Sequence, residues 1–279
     1  MDYTKVEQRG NDTVLVGIKN FDLAQILDCG QCFRWEADEA GYTGIAHGRR
    51  LKLRLMDGNL VFVDVSIDEY EALWKDYLDL GRDYGAILQD YSADSSLLAA
   101  TAFSPGIRVM CQDPWETLIT FILSQNSNIP RIKKMVDGLC RRFGEELAAG
   151  GYTFPAPEAL AHLTPEDLSS IKPGYRAPYI IDAARQVASG YISLDGLKSQ
   201  STDDIRKALL RIHGVGPKVA DCVLLFGFSR VEVCPMDVWM KRVMSKLYPD
   251  GFPEGLMATA GIAQQYLFHY GRNFPEVLE

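Results

Sequence analysis

Alternation of apolar and polar positions dominates the first hundred residues. LKLRLM-DGN-LVFVDV (51–65) is two alternating runs around a Gly-bearing three-residue connection, which predicts a β-hairpin. TVLVGI (13–18) and CFRWE (32–36) are further strand candidates, with Gly41 and Gly44 marking another turn. Ser66 and Glu69 form a capping box that opens the amphipathic helix IDEYEALWKDYL.

From about residue 94 the apolar spacing changes to that of a helix. DPWETLITFILSQN begins with Asp113 and Pro114 in N-cap and N1 positions. The basic amphipathic stretch IPRIKKMVDGLCRRFG ends in Gly144 as a helix stop. Thr164-Pro165-Glu166-Asp167 starts another helix, and further helical patterns cover 176–189, 202–213, 217–227, 237–248 and 256–270. VEVC (231–234) is the one alternating run in this part. The pattern predicts an α+β chain: a small antiparallel β-sheet with helices over residues 1–100, then a mainly α-helical part over 101–279.

Composition narrows the class. A chain of 279 residues that is 47% hydrophobic and 24% charged is neither disordered nor fibrous. No apolar run approaches the roughly 20 residues of a membrane-spanning helix. The polar opening MDYTKVEQRGND lacks the apolar core of a signal peptide, so a cytoplasmic protein is expected, or a nuclear one in a eukaryote. The net charge of −8 at first argues against nucleic acid, but it is unevenly placed. Residues 1–100 hold ten basic against eighteen acidic side chains, whereas 101–279 hold nineteen of each. Within 206–246 eight bases face three acids, enough for a local phosphate-holding patch. Of the cysteines only Cys29 and Cys32 form a close pair, and the four histidines are scattered. No side-chain metal cage is predicted, and reduced, buried thiols are the expectation.

The segment ALLRIHGVGPKVADCVLLFGF (208–228) carries the most chemistry. One helix runs up to His213, the chain turns at Gly214-Val215-Gly216, and a second helix starts at Pro217. Glycines leave the backbone bare, and a helix start adds partial positive charge, so the turn suits a phosphate. A tight helix connection with no ligand fits Gly-x-Gly equally well. Lys218 sits beside the positive helix end, where a cation is disfavoured and the neutral amine of a nucleophile is favoured. A solvated lysine is the plain alternative. Asp237, after Pro235 and at the head of the next helix, reads as an N-cap or as a carboxylate facing a cationic transition state.

Together with GQCFRW (30–35), CQDPWETLITFILSQNSNIPRI (111–132), PGYRAPYI (173–180), HGVGPKVADC (213–222) and AQQYLF (263–268), this motif resembles the 8-oxoguanine DNA glycosylases of the helix–hairpin–helix (HhH-GPD) superfamily. The segments occur in family order across nearly the whole chain. The resemblance implies an 8-oxoguanine glycosylase N-terminal domain over 1–100 and an HhH-GPD catalytic domain over 101–279. It implies a bifunctional DNA glycosylase/AP lyase with Lys218 as Schiff-base nucleophile and Asp237 as catalytic carboxylate. Gly30, Cys222, Gln264 and Phe268 would form the base pocket. Asn126, Arg131 and Arg176 would read the cytosine opposite the lesion, with Tyr175 as wedge. Gly214, Val215, Gly216 and Val219 would form the phosphate-binding hairpin. Duplex DNA containing 8-oxoguanine is the implied partner, no cofactor is implied, and the family suggests a monomer. A monovalent cation bridging hairpin carbonyls to a phosphate is a further implication.

Some positions depart from the family pattern. Trp239 stands where some members have a phosphate-contacting histidine, Ser127 interrupts a run of asparagines, and Met236 replaces a smaller residue. Three rivals follow from the same residues. A monofunctional alkyl-base glycosylase would need Asp237 but no lysine at 218. An iron–sulfur glycosylase would need four cysteines after the catalytic helices, and 235–279 hold none. A non-catalytic helix–hairpin–helix module would bind duplex without preferring the lesion.

Overall fold

The computed structural model describes residues 1–278. Six strands, β1 (Lys5–Arg9), β2 (Asp12–Val16), β3 (Trp35–Asp38), β4 (Gly41–Ala46), β5 (Arg49–Met56) and β6 (Asn59–Val63), form one antiparallel sheet in the order β1-β2-β6-β5-β4-β3. Alternation sets the faces: Leu51 and Leu53 of β5 and Leu60 and Phe62 of β6 are buried, and Leu53 pairs with Phe62. The predicted hairpin is present with a tighter turn. Asn59 already pairs with Met56, leaving a two-residue Asp57-Gly58 turn with φ of 50° and 72°. Two positive φ values match the right-handed twist of the flanking strands.

Two strand expectations are corrected. CFRWE enters the sheet only at Trp35, and β1 had no clear pattern. Gly41 and Gly44 lie inside β4 rather than in a turn. A Cβ on Gly44 would sit 2.3 Å from the Trp35 ring, so the glycine is there to let the indole lie across the strand.

Helix α1 (Leu23–Leu27) follows β2. Ser66 Oγ accepts from Glu69 N (3.2 Å) and starts the next helix as expected, but Glu69 turns to Trp74 Nε1 instead of closing the capping box. That helix comprises α2 (Ile67–Glu69) and α3 (Lys75–Tyr77) around a π-helical turn, Tyr70–Trp74, with Tyr70 and Trp74 fully buried. Together with the inner sheet face these residues make the first of two cores.

The second core is helical: α4 (Tyr84–Tyr91), α5 (Ser95–Phe103), α6 (Pro114–Ser124), α7 (Ile129–Phe143), α8 (Pro157–Ala161), α9 (Ala177–Ala188), α10 (Leu194–Leu197), α11 (Thr202–Leu209), α12 (Pro217–Gly227), α13 (Val238–Leu247) and α14 (Ala260–Asn273). Tyr84, Tyr91 and Leu97 join this core although they precede residue 101. Asp113 and Asn128 cap α6 and α7 through Glu116 N and Arg131 N.

Three helix expectations change. Thr164–Asp167 is a capped turn: Asp167 Oδ2 accepts from Thr164 N (2.8 Å) and Oγ1 (2.9 Å). The 3-10 turn Ser169–Ile171 that follows stops at Lys172, left-handed at φ 55°, before Pro173. The 202–213 helix ends at Leu209, and α14 is entered through the 3-10 turn Glu254–Thr259. VEVC forms no strand, because Val231 O accepts from Gly261 N of α14 and the buried valines pack there.

Candidate active site

The turn between α11 and α12 is held from three sides. Gly214 has φ 83°, and a Cβ there would lie 2.2 Å from the Tyr179 ring, so no other residue fits. Tyr179 meets His213 edge to face at 4.8 Å, and His213 N donates to Asp182 Oδ2 (2.8 Å). Gly214 O accepts from Gln125 Nε2 (3.1 Å). Val215 and Val219 anchor the turn in the core. Gly216, the N-cap of α12, is different: nothing lies within 4 Å of where its Cβ would be. No internal contact explains that glycine, and it borders the unpaired N–H groups that begin an eleven-residue helix.

Lys218 stands in the first turn of α12 and is half-buried. Its Nζ is 3.5 Å from Ser124 Oγ and 5.1 Å from the Phe121 ring centroid, both on α6. Cys222 is buried one turn on; burial pushes its thiol up to about 11, against the pull of Lys218 and with the push of Asp237. Lys218 and Asp237 therefore both act electrostatically on Cys222, a neutral thiol. Asp237 caps α13, Oδ1 accepting from Met240 N (2.7 Å), which fixes the carboxylate at a positive helix end. Beside it Val238 and Trp239 are exposed, Trp239 lying 5.7 Å from Arg242.

Gln264 and Phe268 lie one turn apart on α14. Gln264 is buried, and its Oε1 has no hydrogen-bond partner among the described residues. An unpaired buried acceptor is costly unless a ligand supplies the donor. Phe268 is half-buried under the Arg272 guanidinium at 5.5 Å. Gly30 has φ 93°, in a turn secured by its neighbour. Gln31 Nε2 donates to Ile26 O (2.9 Å) and Arg108 O (2.7 Å), Gln31 Oε1 accepts from Met110 N (2.9 Å), and Gln31 O accepts from Gln112 Nε2 (2.8 Å). Cys29 Sγ donates to Ile26 O and accepts from Gln265 Nε2 (3.4 Å), tying the Gly30 turn to α14. Burial pushes the Cys29 thiol up to about 12, which makes it a structural group. Sequence reading missed Gln31, Gln112 and Gln265; their signal was an amide side chain within or beside apolar runs.

A third group gathers at the α6–α7 turn. Asn126 is exposed with left-handed φ 46°, and Arg131 projects from the first turn of α7. Tyr175 is 51% exposed, and its hydroxyl donates to Gln125 O (3.3 Å). Arg176 is only 2% exposed. Its guanidinium donates to Gln125 O, to Asn126 O (3.1 Å) and to Pro173 O (2.9 Å), and it stacks 4.5 Å from the Tyr175 ring centre. The structure thus groups the four residues around one turn while holding Arg176 on backbone carbonyls. At the hairpin, Gly214 O and Ile212 O accept from Gln125 Nε2 and Val215 N, so a cation there would share carbonyls with those donors. Among the described residues no three His, Cys, Asp or Glu side chains gather as metal ligands, and no helix is long and apolar enough to cross a membrane.

Comparison with known proteins identifies the family. Residues 13–118 match the N-terminal domain of 8-oxoguanine DNA glycosylase, and residues 119–253 match the HhH-GPD superfamily base excision DNA repair proteins. The N-glycosylase/DNA lyase of Saccharomyces cerevisiae is 33% identical over 255 residues, covering 81% of this chain and 68% of the yeast protein. The structure of MBOgg1 with a low affinity DNA ligand matches with a TM-score of 0.92 at 42% identity, covering 99% of this chain and 100% of that one. The 8-oxoguanine glycosylase/lyase of Clostridium acetobutylicum, bound to duplex DNA with cytosine opposite 8-oxoG, matches with a TM-score of 0.91 at 34% identity, covering 99% and 100%. This chain therefore belongs to the 8-oxoguanine DNA glycosylase family of HhH-GPD base excision repair enzymes.

Proposed function

We propose that the enzyme excises 8-oxoguanine from duplex DNA, preferentially opposite cytosine, through a Schiff base on Lys218. The observation that carries this reading is Lys218 itself: a half-buried amine at a helix start, beside a bare glycine turn, one turn from a Cys222 thiol that the capped Asp237 carboxylate also influences. The hairpin N–H groups at Gly216 hold a backbone phosphate, bringing the extruded nucleotide's sugar to Lys218. The amine attacks C1′ as the bond to the base nitrogen breaks, and the carboxylate of Asp237 faces the positive charge on the sugar. Ring opening and loss of the amine proton give an iminium that acidifies C2′. Removal of a C2′ proton expels the 3′ phosphate and nicks the strand.

Gln264 Oε1, which has no protein partner among the described residues, accepts from the purine edge. Cys222, kept neutral by burial, packs against a ring face opposite Phe268. The Gly30 carbonyl receives the N7–H that distinguishes 8-oxoguanine from guanine, worth roughly 1–3 kcal/mol. Asn126, Arg131 and Arg176 read cytosine, and Tyr175 fills the emptied stack. Single-turnover base release tests the substrate on three duplexes: 8-oxoguanine opposite cytosine, 8-oxoguanine opposite adenine, and undamaged guanine opposite cytosine. Fast release only from the first supports the reading; equal rates on the first two would remove the opposite-base part.

A further inference from the structure

We infer that Gln125 is a positioning residue that couples reading of the opposite base to the hairpin carrying Lys218. The inference rests on the function proposed above. Gln125 ends α6 and is gripped at both its backbone and its side chain. Its carbonyl receives Arg176 Nε (2.9 Å), a second Arg176 nitrogen and the Tyr175 hydroxyl (3.3 Å). Its side-chain Nε2 donates to Gly214 O (3.1 Å), across 89 residues of sequence. One residue thus touches the wedge, an opposite-base reader and the turn that opens the nucleophile helix.

The surrounding contacts make this a mechanical link. Asn126, the next residue, takes the left-handed conformation that asparagine readily adopts just past a helix end, so the chain turns sharply there. The Arg176 donors on Gln125 O and Asn126 O hold both carbonyls of that turn. Arg176 is buried, so its guanidinium must exchange these carbonyls for the acceptors of a base. That exchange releases the Gln125 carbonyl and lets the residue shift, and the shift reaches Gly214 O. The Tyr179 ring packs directly against Gly214 and meets Tyr175 at 6.0 Å, so Gly214 has little room to absorb the movement locally. The displacement passes instead along the turn toward Lys218, four residues on. Coupling of this kind needs a contiguous set of contacts, and every step from Arg176 to Gly214 is one.

The test is Gln125→Met, which keeps the length and the backbone carbonyl and removes the donor to Gly214. Gln125→Glu, which replaces the donor with an acceptor, serves if the first variant is poorly folded. Excision of 8-oxoguanine is measured in single turnover opposite cytosine and opposite adenine, with duplex affinity and melting temperature alongside. The expected result is a roughly tenfold loss opposite cytosine, a smaller loss opposite adenine, and unchanged affinity. A plain structural role would slow both reactions by the same factor, and that outcome, or full retention of the wild-type ratio, overturns the coupling. Wild-type rates that do not differ between cytosine and adenine would overturn the opposite-base reading and the coupling with it. If neither variant folds, hydrogen exchange on the wild-type protein decides. The 209–220 segment should be protected more by an abasic-site duplex with cytosine opposite than by one with adenine; equal protection overturns the link.

Discussion

In the proposed mechanism Asp237 combines a structural and a chemical task, and substitution separates them. Its Oδ1 caps α13 through Met240 N, and in the proposed mechanism its charge faces the cationic sugar. Asparagine caps nearly as well as aspartate, so Asp237→Asn should leave the melting temperature almost unchanged. Base excision should fall about 10²–10³-fold, the scale of removing one electrostatic stabiliser from a transition state. A large drop in melting temperature would mean the carboxylate is mainly structural. The two hairpin glycines make a similar contrast. Gly214→Ala forces a side chain into the Tyr179 ring at positive φ and should cost about 2 kcal/mol or more of unfolding free energy. Gly216→Ala meets open space, so stability should change by no more than about 0.5 kcal/mol while duplex binding weakens. Chemical unfolding and duplex titration of the two variants check both halves. Loss of stability at Gly216 without loss of binding would contradict its assignment to the phosphate seat.

At the scale of elements, what could be read from the chain was what is encoded locally. Asp113, Asn128 and Ser66 announce their helices because a cap acts within three residues. The β5–β6 hairpin and the Gly-Val-Gly-Pro-Lys turn are likewise local, which is why Lys218 and Asp237 stand out. The misreadings have tertiary causes. Gly41 and Gly44 look like turn residues, and only the Trp35 ring lying across β4 explains Gly44 in a strand. VEVC alternates like a strand, yet among the described residues no neighbouring strand pairs with it. Thr164–Asp167 has helix-start residues whose mutual hydrogen bonds close a turn instead. The burial of Arg176, the unpaired Oε1 of Gln264 and the grip of Gln125 on Gly214 join residues far apart in sequence, and no local pattern signals them.

In the whole molecule, the β-rich and helical parts are joined by a largely buried pair, Arg34 and Glu116 (3.2 Å), with Arg34 also donating to Tyr152 O. Burial outweighs Arg34 and pushes the Glu116 carboxyl from an ordinary 4.5 up to about 7. The folded protein then holds a proton that the unfolded chain has released. This contribution to stability is complete below pH 4.5 and is lost as pH rises to about 7. Glu116→Gln should flatten the pH dependence of unfolding across that window; a variant that keeps the wild-type slope would assign it to another group. Binding to duplex should also weaken steeply with salt, since the chain's overall charge of −8 leaves phosphate contacts to local patches. The central claim concerns one covalent bond, and sodium borohydride trapping measures it directly. A duplex with one 8-oxoguanine opposite cytosine should yield a stable protein–DNA adduct. An undamaged duplex should yield none, and Lys218→Gln should form no adduct and lose more than about a thousandfold in excision rate. Base release without any adduct, or an adduct that persists in Lys218→Gln, would contradict the Schiff-base mechanism at this lysine.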